Sequence, residues 1–260
     1  MSSTAGPISS ATIHWPPPPA QHPLAARDVH LWAASLVVPD DRLSAFQSTL
    51  SPDERERAER FVFGLHRNHY IAGRGILRAI LASYLDLNPA KIQFAYTPRA
   101  KPFLADMPGA GAHHFNIAHS EGLVLVAISQ VCEIGVDVER IRPMPDAHDI
   151  ASHFFSPREK AQLNGLPTDQ VPPAFFNLWT RKEACLKATG EGITELLPLT
   201  EVSFLPGEPA QLHSLWGDPK EAGQWTLEDL TPAPGYAAAL AAPARDLQLH
   251  CWRWPTSSRL

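Results

Sequence analysis

Apolar positions along this chain recur with two different periods, and the places where the period changes predict its elements. Val29-His30-Leu31-Trp32-Ala33-Ala34 reads as a short strand, followed by a helical stretch over Leu43 to Leu50. Ser51-Pro52-Asp53-Glu54 is a helix start, with serine as the cap, proline in the first helical position and acids in the first turn. Ala58, Phe61 and Val62, then beyond Gly64 Tyr70, Ile71, Ile76, Leu77, Ile80 and Leu81, continue at helical spacing as far as Leu85. Ile92 to Tyr96 alternates like a strand. Leu123 to Ser129 is a second extended run, and Ile134 to Glu139 a third, with Asp137 and Glu139 on one side and Val136 and Val138 on the other. Phe175, Phe176, Trp179, Ala184 and Leu186 then outline a helix that ends at Gly190, where a left-handed residue belongs. From 200 to 254 the pattern gives short strands, at Val202-Ser203-Phe204, Trp225-Thr226-Leu227, Tyr236 to Leu240 and Leu247 to Trp254, separated by proline and glycine turns.

One arrangement occurs twice. Ser51-Pro52-Asp53-Glu54 leads to a helix ending on Leu77-Arg78-Ala79, and Ser156-Pro157-Arg158-Glu159 leads to one ending on Leu186-Lys187-Ala188. The repetition predicts an internal duplication and an α+β fold of two halves, each a small antiparallel sheet packed with helices, and the junction of two such halves is a favoured place for a ligand cleft. The expected divisions are a disordered proline-rich tail over 1–26, an N-terminal half over 27–112, a C-terminal half over 113–250 and a C-terminal tail over 251–260. The linker falls near 105–114, where Pro108, Gly109 and Gly111 cluster, or between the strands that follow. Pro7, the run Pro16 to Pro19 and Pro23 favour an extended polyproline segment, so removing residues 1–24 is expected to leave folding nearly unchanged.

Composition narrows the function classes. At 260 residues, 44% hydrophobic and 19% charged, the chain can bury a sizeable core, and its formal net charge of −5 gives no reason to expect nucleic acid or an anionic membrane as a partner. No apolar run reaches the roughly 18 residues of a membrane helix, and no signal peptide opens the chain. Cys132, Cys185 and Cys251 lack metal-ligand spacing and read as reduced thiols of a cytoplasmic protein. Residues 51–78 carry six arginines against four acids, which predicts a locally basic face, with Arg74 and Arg78 offered to an acidic partner.

Three stretches carry candidate chemistry. In Trp179-Thr180-Arg181-Lys182-Glu183-Ala184-Cys185-Leu186-Lys187, Glu183 and Lys187 share one helix face. Taken alone they are a surface ion pair that stabilises a helix by about 0.3–0.5 kcal/mol. Asp137 and Glu139 stand side by side on an extended segment, where two carboxylates repel unless a cation lies between them. With Glu183 they make three oxygen ligands of the kind magnesium takes. In Phe115-Asn116-Ile117-Ala118-His119-Ser120, the imidazole and hydroxyl could hold phosphate oxygens. The adjacent His113 and His114 would point to opposite sides of an extended chain and read as linker residues, and Trp216, Trp225, Trp252 and Trp254 as core or lid packing.

In this order, Phe-Asn-Ile-Ala-His-Ser, Gly-Val-Asp-Val-Glu and Trp-Thr-Arg-Lys-Glu-Ala-Cys-Leu-Lys-Ala resemble the three signature motifs of the 4′-phosphopantetheinyl transferases, of the larger surfactin-synthetase-activating type. The resemblance covers roughly residues 28–245; it departs at Ala118 and Thr180, where the family usually has serine, and at Ala100, where it often has glycine. It implies two pseudo-symmetric halves, fused copies of a shorter relative with the active site in the cleft between them, and a magnesium-dependent transfer of the phosphopantetheine arm of coenzyme A to a serine of an apo acyl, peptidyl or aryl carrier protein. Asp137, Glu139 and Glu183 would hold the ion, and Glu183, directly or through water, would take the serine proton. Lys187, His119 and Lys101 would neutralise phosphate oxygens, Asn116 and Ser120 would position them, Arg57 would meet the 3′-phosphate, and the loop of Arg99 and Lys101 would contact coenzyme A. The protein would act as a monomer. A coenzyme A diphosphate hydrolase and a catalytically idle carrier-binding module are the competing classes.

Overall fold

The computed structural model describes residues 13–106, 111, 113–190 and 196–255. In chain order the elements are β1 (Asp28–Ser35), α1 (Asp40–Thr49), α2 (Pro52–Glu59), α3 (Gly64–Leu85), β2 (Phe94–Tyr96), β3 (Pro102–Leu104), β4 (His114–Ser120), β5 (Leu123–Ser129) and β6 (Gly135–Arg140). They continue through α4 (Ala147–Phe154), α5 (Pro157–Asn164), α6 (Val171–Thr189), β7 (Glu201–Val202), β8 (Leu212–Ser214), α7 (Pro219–Ala222), β9 (Thr226–Leu230), β10 (Tyr236–Ala242) and β11 (Gln248–Arg253). The fold is α+β, and the duplication is visible in the sheets. One sheet runs β11-β1-β5-β4 and the other β6-β10-β9. Each half contributes a lone strand, then helices, then an antiparallel pair, and in each the last strand of that pair inserts beside the first.

Both helical layers begin with the same device. Ser51 and Ser156 each close a capping box with the glutamate three residues on, and Pro52 and Pro157 occupy the first helical position. Those glutamates also reach the long helix of their own half. Glu54, 1% exposed, accepts from Arg74 Nε at 2.6 Å and Arg78 Nε at 2.7 Å, while Glu159 accepts from Lys182 and from the Val202 N–H. The expected basic face is therefore corrected. Arg74 and Arg78 are buried on Glu54, and neither is offered to an acidic partner.

The expected boundaries need correction too. β4 and β5 complete the sheet of β1, so a division at 112/113 falls inside the first half, and the change of sheet comes in the loop before β6. Cys251 and Trp252 are buried in β11, which pairs in parallel with β1, so residue 251 does not begin a tail. At the other end, residues 1–12, part of the expected tail, lie outside the described residues, but 13–26 is packed. Ile13 and Trp15 lie against the β1-β5-β6-β10 core and Leu24 against the α3 side, while the Arg253 N–H donates to the Pro16 carbonyl at 2.9 Å. The prolines set an extended course, and the apolar residues among them make the contacts. Deleting residues 1–24 should consequently lower stability by on the order of 2 kcal/mol, read as a fall in denaturation midpoint. An unchanged midpoint would restore the tail.

The strand at Val202 is short and β8 follows it, and Trp225 and Trp252 are core residues, whereas Trp216 is 40% exposed on a turn. His114 begins β4 and bonds Glu133 Oε1 at 2.8 Å, so it belongs to the sheet and not to a linker. The three cysteines are free, and no helix among the described residues is long and apolar enough to cross a membrane.

Candidate active site

The site is assembled where β6 crosses α6. Gly135 begins β6 against the helix backbone, so closely that a Cβ there would stand 2.0 Å from the Ala184 carbonyl oxygen and 2.4 Å from the Ala188 nitrogen. Any side chain would push the strand away; glycine lets Asp137, two residues on, reach the helix face that carries Glu183 and Lys187. The helix closes two turns later on Gly190, which is left-handed at φ 76° and returns its N–H to Leu186 O at 2.9 Å.

Lys187 does not pair with Glu183. Its Nζ donates to Asp137 Oδ1 at 2.5 Å, across fifty residues of sequence. Asp137 Oδ2 and Glu183 Oε1 are buried with no hydrogen-bond partner among the described atoms. Burial raises the Asp137 carboxyl to about 6 against the pull of Lys187, and burial together with the nearby Asp137 charge raises Glu183 to about 7. A buried acceptor oxygen without a partner calls for a proton or a cation beside it.

Glu139 lies at the rim and is held differently. Ser120 Oγ donates to Glu139 Oε2 at 2.7 Å and accepts from the Arg140 N–H at 3.1 Å. The serine expected to position phosphate therefore orients a carboxylate. Asn116 is likewise engaged, 4% exposed, its Oδ1 accepting from the Val136 N–H at 2.9 Å and tying β4 to β6. It ties the two halves together. His119, between them on β4, is exposed; partial desolvation and the Lys187 charge keep its imidazole below its usual value.

The oxygens of Asp137, Glu139 and Glu183 do not all approach within 4.8 Å of one another. Asp137 and Glu183 carry the unpartnered buried oxygens, whereas Glu139 is held by Ser120. Lys101 Nζ meets Glu133 Oε2 at 2.6 Å and the Ala188 carbonyl at 3.3 Å, at the C-terminal end of α6 beside a cleft of about 470 Å³. Arg57 stands in the last turn of α2 with its guanidinium 5.5 Å from the Tyr70 ring centre, and Arg99 is exposed in the turn between β2 and β3. The structure thus gathers Asp137, Glu139, Glu183, Lys187 and His119, and sets Lys101, Arg57 and Arg99 farther out. In the same turn Ala100 adopts φ 62°, the left-handed conformation that explains a glycine at this place in the family. The expected reading of Gly190-Glu191-Gly192 as no phosphate loop falls partly outside the described residues.

Sequence reasoning missed two features of this site. One is the Lys187–Asp137 pair, because i and i+4 spacing pointed Lys187 at Glu183. The other is the apolar groove beside Glu139, about 140 Å³, lined by Met144, Ile150, Phe175, Phe176 and Trp179.

The titration of the pair has a sign. Both carboxyls titrate higher in the folded protein than their ordinary values of 3.8 and 4.5, so the folded state holds their protons where the unfolded state has released them. Their contribution is fully present below those ordinary values and is lost as pH rises through about 6 and about 7. The metal-free protein should lose stability across that window, and Asp137→Asn should flatten the fall in a pH series of melting curves.

Comparison with known proteins agrees with this geometry. Residues 133–241 match the model of the 4′-phosphopantetheinyl transferase superfamily, and residues 38–131 match that of a 4′-phosphopantetheinyl transferase N-terminal region. The chain is 40% identical over 240 residues to the 4′-phosphopantetheinyl transferase HetI of Nostoc sp., covering 92% of this chain and 98% of the relative. It is 29% identical to the transferase Sfp of Bacillus subtilis over 77% of this chain and 85% of that one. To AcpT of Escherichia coli it is 31% identical, over 64% and 80%. With both halves matched and a full-length relative at this identity, the chain belongs to the 4′-phosphopantetheinyl transferase superfamily and is a 4′-phosphopantetheinyl transferase.

Proposed function

We propose that the protein moves the 4′-phosphopantetheine arm of coenzyme A to a serine hydroxyl of an apo carrier protein, with magnesium at Asp137 and Glu183 and with Glu139 as a ligand through water. The observation that carries this reading is the pair of buried, unpartnered oxygens, Asp137 Oδ2 and Glu183 Oε1, on the floor of a site edged by Lys187 and His119. When bound there, a divalent cation would offset the charge of the diphosphate.

The chain's own groups supply the rest. Glu183, with a pKa raised to about 7, is matched to take the serine proton near neutrality, directly or through water. The serine oxygen bonds to the phosphorus that bears the pantetheine arm, the diphosphate P–O bond breaks, and adenosine 3′,5′-bisphosphate leaves with the bridging oxygen. Lys187 and His119 lie where the phosphate oxygens would gather charge, Lys101 beside the cleft at the helix end, and Arg57 and Arg99 on the outer path of the nucleotide. Ser120 acts through Glu139 and Asn116 through the β4–β6 junction. The apolar groove beside Glu139 suits the aliphatic arm or an apolar residue of the carrier.

The discriminating experiment follows bisphosphate release from coenzyme A with magnesium, with and without an apo acyl or peptidyl carrier protein. Release only when the carrier is present supports transfer. Release at the same rate without it would replace transfer by hydrolysis, and carrier binding with no release at all would make the protein an idle docking module.

A further inference from the structure

Outside the active site, one group of side chains has the composition and spacing of a metal site. Asp28, His30 and His250 bring a carboxylate oxygen and two imidazole nitrogens within 4.8 Å of one another, the sole such trio of potential metal ligands among the described residues. The register builds it. Asp28 and His30 are two apart on β1 and so share a face, and His250 is the direct partner of His30 on the parallel strand β11.

The spacing is wrong for hydrogen bonds. His30 Nε2 stands 3.8 Å from Asp28 Oδ2, and His250 Nε2 stands 3.4 Å from Asp28 Oδ1. Both exceed the roughly 2.7–3.2 Å of an N–H to O bond. The His250 separation is what a shared ion would impose, since two bonds of roughly 2.0–2.2 Å at a tetrahedral angle hold their donor atoms roughly 3.4 Å apart, and His30 stands at the other oxygen of the same carboxylate.

The surroundings hold the ligands in place. Tyr84 Oη lies 2.7 Å from His30 Nδ1 and accepts from Trp32 Nε1 at 3.0 Å. In the tautomer that donates its Nδ1 proton to that oxygen, the Nε2 lone pair would turn toward Asp28, which is how a ligating histidine is fixed through its other nitrogen. Asp28 Oδ2 accepts from the Ala25 N–H at 3.0 Å, the His250 ring stacks on Trp252, and His30 packs edge-on against the same indole. His30 is 2% exposed, whereas the His250 side chain is 45% exposed, so the trio is closed on the core side and open to water on the other.

From this we infer that Asp28, His30 and His250 form a binding site for a first-row transition ion of the zinc class, with water as the fourth ligand. Two imidazoles and one carboxylate suit such an ion, whereas magnesium prefers oxygen alone. The ion would clasp the first strand of the fold to its last.

The test is titration of the full chain with zinc in the presence of excess magnesium, followed by calorimetry and by melting curves, with cobalt(II) as a spectroscopic probe of geometry. The wild type should bind one equivalent, melt at higher temperature with zinc, and give the intense visible bands of a four-coordinate cobalt site. His250→Ala, at a half-exposed position, should fold normally and lose at least roughly 100-fold in affinity, and Tyr84→Phe should lose roughly 10–100-fold by freeing the His30 ring. Asp137→Asn should retain this binding, which separates the trio from the active-site carboxylates. Equal zinc affinity and equal cobalt spectra in wild type and His250→Ala would overturn the inference, as would a site abolished by Asp137→Asn. So would the absence of any wild-type binding.

Discussion

Replacing Glu183 by glutamine should lower kcat by roughly two or more orders of magnitude, the scale of a lost general base, while leaving the metal-free protein as stable as before or more so. The two outcomes have one cause. Glu183 is buried beside Asp137, its Oε1 has no partner, and burial together with the Asp137 charge raises its titration. A neutral amide removes that repulsion, so the melting temperature without magnesium should hold or rise. The same change removes a cation ligand and a proton acceptor, so turnover falls, and added magnesium should raise the melting temperature less than in the wild type. Lys187 gives a contrast. Its charge bonds Asp137 in the free protein, and it would meet phosphate in both the bound and the reacting state. Lys187→Ala is therefore expected to raise KM for coenzyme A as well as lower kcat. A Glu183→Gln protein that melts lower yet turns over normally would reduce the residue to a structural acid.

The largest effect on stability should come from Arg78→Ala. Arg78 is 1% exposed and donates to Glu54 at 2.7 Å and to the carbonyls of Pro89 and Ile92 at 3.1 and 2.8 Å. Burial pushes the Glu54 carboxyl up, but Arg74 and Arg78 together hold it below its ordinary value. Truncation would leave Glu54 with one cation and take a donor from the Ile92 and Pro89 carbonyls, of which Pro89 keeps only the Ile92 N–H. Breaking a buried pair in this way costs about 3–5 kcal/mol, which for a chain of this size is a fall in melting temperature of roughly 6–20 °C. Arg78→Met, which keeps much of the volume but not the charge, should be nearly as damaging, because the stranded Glu54 is the main loss. A fall of only a degree or two for both variants would mean that Arg74 alone satisfies Glu54.

Much of this was legible in the chain because the controlling interactions are local. The two capping boxes, the glycine end of α6 and the alternation of β6 are each written within a few residues, and their repetition announced two related halves. The acids and bases of the site were legible for the same reason, since Asp137 and Glu139 share a strand face and Glu183 and Lys187 a helix face. What was not legible depends on partners far away in sequence. A row of arginines reads as a basic surface until Glu54, 20 and 24 residues earlier, is found beneath Arg74 and Arg78. Prolines before β1 read as a tail, because nothing local shows Trp15 and Leu24 lying against the core. The parallel pairing of β11 with β1 joins the two ends of the described fold, and no short-range pattern encodes it. The hydrogen bonds of Asn116 and Ser120, to the Val136 amide and to Glu139, appear only once the strands are packed.

The most direct measurement is the intact mass of an apo carrier protein after incubation with the enzyme, coenzyme A and magnesium. The account predicts a gain of one phosphopantetheine arm, located on a serine, abolished by a chelator and strongly slowed in Glu183→Gln. A carrier whose mass stays unchanged after prolonged incubation, across acyl and peptidyl carriers alike, would contradict it.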